Sequence, residues 1–429
     1  MWVHQIGQPS IKIDNLYGSY SYDIQNISDL LVLTGFNGTG KTTILNIIRS
    51  IAETNLYFFY ELEFDAIEIK FDDDLMLSVV SKDKVKEDVS ESSDSDSKPE
   101  REISFCWTQK DNEICSLRID KQELHSAYIA VTNSEYLLNS EWTADIQNRM
   151  DDVVQYIIQK QKAGSFSMIT STLKTFFVPA QRIKTINRVE SDYPFDDSME
   201  EVYTIDTIVD RFKEVLQKNQ IDFLKKIQNS RDKLIDRLLE ENTKVLDEAE
   251  YDKLKVEVQN TIGELREFGL NYEEVKNYDK KNAKILSVYL TVVKDNLSVY
   301  SDLLNELKLF SSILKEKRFA HKRILFSPDY GFKVFSDKGV SIKPARLSSG
   351  EQNTIILLYR IIFDVKRGDV LLIDEPEISM HVVWLKEFIL DLQDIIKAKG
   401  CQVIIATHSP QIVRGAYDYC YDLELGYGK

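Results

Sequence analysis

The stretch SDLLVLTGFNGTGKTTILNIIRSIAE (28–53) limits the fold more than any other part of this chain. An apolar strand runs into a glycine-rich turn. A helix follows, with Ile44, Ile47, Ile48 and Ile51 on one face. A strand that is apolar on both sides belongs inside a parallel sheet, which needs crossover helices. The expectation is therefore an α/β core. The turn GFNGTGKTT (35–43) fits the phosphate-loop pattern GxxxxGK[ST]. Gly35, Gly38 and Gly40 let backbone N–H groups, with that of Asn37, converge on phosphate oxygens, and the helix start adds partial positive charge. Lys41 is then placed to reach the β- and γ-phosphates of a nucleotide, Thr42 to bind Mg²⁺, and Thr43 to continue the cradle.

Three further segments have the form of a buried strand ending in polar residues. DVLLIDEPE (369–377) carries Asp374 and Glu375 at its end. In a parallel sheet that end opens on the ligand crevice. There Asp374 is expected to hold Mg²⁺ through water, and Glu375 to accept a proton from the attacking water. CQVIIATHSPQIV (401–413) presents His408, expected to sense the γ-phosphate. KTFFVPAQRI (174–183) ends near Gln181, which either contacts Mg²⁺ or the attacking water or lies in a plain polar loop. RLSSGEQNTI (346–355) reads as a helix start, with Ser348 or Ser349 as cap and Glu351 and Gln352 in the first turn. Its free N–H groups make it equally a phosphate clamp through Ser348, Gly350 and Glu351.

At 429 residues the chain is long enough for two or three domains. The reading is 1–200 as the first part of a nucleotide-binding head, 201–320 as a helical insertion, and 321–429 as the second part of the head. FDAIEIKF (64–71) alternates like a half-buried strand, and 134–162 reads as helical. The serine-rich acidic tract 84–102 reads as a disordered loop. Within 204–318, Leu286, Leu290, Val293, Leu297, Tyr300, Leu304, Leu307, Ser311 and Leu314 alternate steps of four and three, a coiled-coil-like seam. An earlier arm (Val209, Phe212, Leu216, Phe223, Ile227, Leu234, Leu238) is less regular, which favours a hairpin or bundle over a long rod.

Net charge is −16. That charge does not indicate nucleic acid, although a local basic groove such as KEKRFAHKR (315–323) is compatible with it. No apolar run suffices for a membrane span and the N-terminus is no signal peptide, so a cytoplasmic protein with no membrane partner is expected. Cys106 and Cys115 would face each other if 103–119 were a hairpin turning near 110–112. Free thiols are the favoured reading.

In order, GFNGTGKTT, LSSGEQ, LLIDEPE and IIATHS resemble the Walker A, signature, Walker B and switch-histidine motifs of ABC-type ATPases. DEPEISMH and the helical insertion resemble the branch containing RecF, SMC-like and OLD-family proteins and the ATPase subunits of anti-phage systems such as Septu and PARIS. The resemblance covers roughly 1–80, 170–185 and 325–415. It implies an ABC-type P-loop ATPase head with an antiparallel β lobe and an inserted α-helical hairpin or bundle. It further implies ATP and Mg²⁺ as cofactors and slow, regulatory hydrolysis. ATP bound by one chain would be closed by Ser348 and Gly350 of another in a head-to-tail dimer or a higher oligomer built on it. Ser379 and His381 would lie at that interface, although SMHVVW departs from the usual leucine-histidine-proline pattern there. Tyr17, Tyr20 or Tyr22 is the candidate for stacking on adenine. About twenty residues follow His408, so any effector, an HNH or TOPRIM nuclease, is expected to be a separate chain in antiviral defence. The alternative is a DNA repair or tethering ATPase of RecF or SMC type.

Overall fold

The computed structural model describes residues 9–71, 74–84, 100–132, 150–180, 204–240, 244–315, 319, 321–378, 380, 382–425 and 427–428. Most of the serine-rich tract, part of 134–162, Gln181, Ser379 and His381 lie outside the described residues.

The chain opens with β1 (Ser10–Leu16), β2 (Tyr20–Ile24), β3 (Leu30–Thr34), α1 (Lys41–Ala52) and α2 (Leu56–Glu61). β4 (Ala66–Lys70), β5 (Leu75–Lys84), β6 (Glu100–Gln109) and β7 (Asn112–Asp120) follow. They join the first two strands in an antiparallel sheet of order β2-β1-β4-β5-β6-β7. β4 alternates buried and half-buried positions, as its sequence requires. The β6–β7 hairpin turns at Lys110–Asp111, both at positive φ. An irregularity after Trp107 sets Cys115 opposite Trp107 and Cys106 opposite Ser116. Successive residues alternate faces, so the two thiols point to opposite sides of the sheet and do not face each other. All four cysteines are free.

α3 (Lys121–Thr132), α4 (Met150–Lys160) and α5 (Gly164–Thr170) lead to β8 (Thr175–Val178). The helical residues come next: α6 (Ile205–Leu239), α7 (Glu248–Glu267), α8 (Ala283–Leu297) and α9 (Ser301–Lys315). After them come β9 (Lys322–Ser327), β10 (Gly331–Ser336), β11 (Ser341–Ile342) and α10 (Ser349–Tyr359). Finally β12 (Val370–Asp374), α11 (Val382–Lys399), β13 (Gln402–Ala406), α12 (Pro410–Gly415), β14 (Cys420–Asp422) and β15 (Tyr427–Gly428) complete a second sheet. Its order is β15-β14-β3-β13-β12-β8, parallel from β14 to β8. β12 and β13 are buried at every position, which is why they read as unbroken apolar runs.

The chain divides into two compact units, residues 1–202 with 365–429, and Tyr203–Asp364. Residues 321–364, expected with the head, group with the helices instead. The cause is aromatic packing. The fully buried Phe212 of α6 lies within 4.8–5.5 Å, ring centre to centre, of Phe310, Phe326, Phe332, Tyr359 and Phe363. The backbones also meet: a Cβ on Gly331, at φ +71°, would sit 2.0 Å from the Val209 carbonyl oxygen.

All nine residues of the periodic seam are buried, but so are Val288, Val292, Leu303, Phe310 and Ile313 between them. That is a wider stripe than a two-stranded coiled coil buries, and it packs a bundle. A 3₁₀ turn at Ser298–Tyr300 divides the arm into α8 and α9. α6 alone is long, 35 residues or about 50 Å.

Candidate nucleotide site

The first unit gathers most of the expected site at the carboxyl ends of β3, β12 and β13. Gly40 caps α1 at φ 87°, a conformation that favours glycine. A Cβ there would approach Leu16 Cδ2 to 2.9 Å. Ile44, Leu45, Ile47, Ile48 and Ile51 are buried and anchor the helix whose amino end the loop exposes. Lys41 is 5% exposed. Its Nζ donates to the carbonyls of Gly35 and Phe36, both at 2.9 Å. Burial pushes its pKa down, against the pull of Glu375 and Asp374. The ammonium is thus folded over the glycine loop, placed to meet a phosphate there.

Thr42 Oγ1 donates to both carboxylate oxygens of Asp374 at 3.1 Å. Two hard oxygens side by side, on a helix start and a strand end, suit Mg²⁺. Bound there, Mg²⁺ would neutralise phosphate charge; Thr42 and Asp374 are the residues that would hold it. Burial pushes Asp374 up to about 6, and Glu375 and Glu377 add to the rise. The sign of the pH effect follows. The folded chain keeps a proton that the unfolded chain releases above 3.8. Asp374 therefore stabilises the nucleotide-free chain at low pH and loses that contribution as pH rises through about 6. Urea unfolding without Mg²⁺ at pH 4.5 and pH 7 is expected to show roughly 2 kcal/mol less stability at the higher pH from this group. Asp374→Asn removes that difference. Equal pH slopes for both proteins would refute it.

Glu375 takes φ 41°, unusual for a non-glycine residue, and its N–H donates to the Ala406 carbonyl at 2.8 Å. This contact brings the ends of β12 and β13 together. His408 stands between the two motifs: Nδ1 is 3.5 Å from Lys41 Nζ and Nε2 is 3.7 Å from Glu375 Oε1. An ammonium can only donate, so in a hydrogen bond with Lys41 the His408 Nδ1 is the acceptor.

Sequence reasoning missed four contacts. Glu377 Oε1 accepts from Thr407 Oγ1 at 2.7 Å and from the His408 N–H at 2.6 Å. Glu424 Oε1 accepts from the Phe36 N–H at 2.6 Å. Tyr17 and Thr43 share a hydroxyl contact of 2.7 Å. Acidic residues are too common for such partners to be recognised by type, and nothing in their spacing marks them. Of the adenine candidates, Tyr22 is buried and its hydroxyl donates to the Thr39 carbonyl, so it is closed to stacking. Tyr17 and Tyr20 are exposed. An apolar crevice lined by Ile27, Leu173, Gln402 and Ile404 lies at the opposite, amino ends of the strands, away from this chemistry.

The second unit carries the remaining residues. Ser348 caps α10, and its hydroxyl accepts from the Glu351 N–H at 3.3 Å. Glu351 Oε2 accepts in return from the Ser348 N–H at 3.0 Å. Burial raises the Glu351 pKa, but hydrogen bonds from Lys322 and Ser348 outweigh it and hold the carboxyl low. Glu351 is thus engaged with the cap and with Lys322, 2.5 Å away. Residues 353–359 are all buried. Ser348 is exposed, and the N–H groups of Ser349 and Gly350 have no intrahelical acceptor.

A phosphate loop, a Thr–Asp pair, a carboxylate and a histidine at the ends of one parallel sheet, with an antiparallel lobe and a helical insertion, define an ABC-type P-loop ATPase head. The AAA ATPase domain model matches residues 9–413, and the chain belongs to that family. Membership implies nucleotide binding and ATP hydrolysis. Protein ea59 of Escherichia phage lambda is 30% identical over 118 residues, which are 27% of this chain and 22% of that protein. Among solved structures, the SMC head domain from Thermotoga maritima is 9% identical with a TM-score of 0.35, covering 96% of this chain and 93% of the other. An SMC head bound to the C-winged helix domain of ScpA is 12% identical with a TM-score of 0.33, covering 96% and 91%. Among the described residues no helix is long and apolar enough to cross a membrane.

Proposed function

We propose that this chain is a slow, regulatory ATPase that pairs head to tail on ATP and gates a separate effector, a nuclease in antiviral defence. The observation that carries the ATPase reading is the convergence of Lys41, Thr42, Asp374, Glu375 and His408. Lys41 and the loop N–H groups bind the phosphates, Glu375 takes the proton of the attacking water, and His408 reports on the γ-phosphate. The pairing reading rests on α10: an exposed, capped helix end with spare N–H groups suits a phosphate held by a second copy. ATP binding then shifts a monomer–dimer equilibrium by its differential affinity for the closed state. Gel filtration of a hydrolysis-blocked chain with and without ATP tests it, and a complex that stays monomeric overturns it.

A second reading, a RecF- or SMC-like ATPase acting on DNA, is favoured by one surface. Residues 321–346 contain six Lys or Arg and two Asp in a chain of net charge −16. On the solvent face of the three-stranded sheet Arg323 pairs with Phe335, and Lys333 pairs with Leu325. Lys343, directly after β11, is also exposed. This row of cations has no acid in it. If it holds a phosphate backbone, affinity for a short duplex falls steeply between about 50 and 200 mM salt, and Lys333→Glu weakens it about tenfold at low salt. Salt-independent binding, or binding unchanged in Lys333→Glu, overturns this second reading.

A further inference from the structure

We propose that Glu377 is a positioning residue for ATP hydrolysis, holding His408 at the γ-phosphate; this rests on the hydrolytic reading above. Glu377 lies past Pro376 in the turn that leaves β12, where Ile378 N–H donates to the Glu375 carbonyl and Met380 N–H to that of Glu377. Its Oε1 receives two short bonds, from Thr407 Oγ1 and from the His408 N–H. Both donors belong to the loop after β13. Hydrogen bonds to an ionised carboxylate are about twice as strong as neutral ones.

Thr407 extends the network. It is fully buried, its N–H donates to the Leu33 carbonyl, and its hydroxyl accepts from the Ser409 N–H at 2.9 Å while donating to Glu377. One carboxylate therefore sets the course of three successive residues, 407–409. It also ties the loop to the turn that carries Glu375. The His408 ring lies between Lys41 and Glu375, with Nδ1 3.5 Å from Lys41 Nζ and Nε2 3.7 Å from Glu375 Oε1. A shift of the β12 turn would move Glu375 and the His408 backbone together.

Glu377 Oε2 is buried and, among the described residues, has no hydrogen-bond partner. A desolvated carboxylate oxygen is costly to keep. Glutamine at this position would supply the same acceptor to both donors without the charge. What positions His408 is the acceptor in this place, which both Glu and Gln provide and Ala removes.

The test uses the full chain with Glu377→Gln and Glu377→Ala, measuring steady-state ATP turnover and the imidazole ¹⁵N resonances, with His408 assigned through His408→Gln. Glu377→Ala is expected to lower kcat by about 10–100-fold with KM for ATP within about threefold. Glu377→Gln, which keeps the acceptor, restores kcat to within about threefold of wild type. The His408 resonance shifts in Glu377→Ala and stays in Glu377→Gln. An unchanged kcat in Glu377→Ala, an equal loss in both variants, or an unmoved His408 resonance overturns the proposal. A wild-type chain without ATP turnover overturns the hydrolytic reading instead, and the resonance then decides the part played by Glu377.

Discussion

Glu375→Gln is expected to reduce ATP turnover by on the order of 10²–10³-fold while ATP stays bound and the chain elutes as a dimer. A positioned base contributes about that much to rate. Glutamine keeps the shape of the side chain and the Glu375 N–H bond to the Ala406 carbonyl, so β12 and β13 remain joined. It removes the carboxylate that is proposed to accept the proton. It also removes a negative charge beside Lys41 and Asp374, one of the charges that raise the Asp374 pKa. Repulsion of the incoming triphosphate therefore falls, and ATP affinity is unchanged or better. Binding without turnover accumulates the closed pair. Phosphate release and gel filtration with Mg²⁺ and ATP read both effects; a mutant that remains monomeric with ATP bound is incompatible with a composite site.

Ser348→Arg is expected to abolish hydrolysis and leave ATP affinity within about threefold, because the loop proposed to bind the nucleotide belongs to the other unit. The substitution costs the α10 cap, about 1 kcal/mol. The helix survives that loss because residues 353–359 are buried. What changes is the exposed end: a long cation replaces a small hydroxyl where the γ-phosphate of a second copy would be seated. Titration with a fluorescent ATP analogue, set beside phosphate release, separates the outcomes. A large loss of binding would mean that Ser348 acts on the nucleotide of its own chain.

The central strands β12 and β13 were legible because burial on both faces leaves a plain signature. Val370–Ile373 and Val403–Ala406 are unbroken apolar runs, and the polar residues at their carboxyl ends had one place to go. The glycines of 35–40 were legible because Gly35, Gly38 and Gly40 all take positive φ. The α10 cap was legible because a capping box is a local contact, three residues apart.

Other features depended on distance. The aromatic hub at Phe212 draws together α6, α9, β9, β10 and α10, up to about 150 residues apart along the chain, and no local pattern records that. That packing is why 321–364 group with the helices. Cys106 and Cys115 show the same limit on a smaller scale, since one irregularity after Trp107 changes which residues share a face.

By itself, then, the amino-acid sequence determined the strand–glycine loop–helix unit, the buried strands with their terminal Asp374, Glu375 and His408, and the capped start of α10. Each follows from short-range periodicity or backbone geometry. Only the tertiary structure decided that Glu377 would grip the His408 loop, that Glu424 would meet the phosphate loop, and that β9–β11 and α10 would pack with the inserted helices. Those depend on which surfaces meet, and a carboxylate or an aromatic ring carries no record of its partner until the chain is folded.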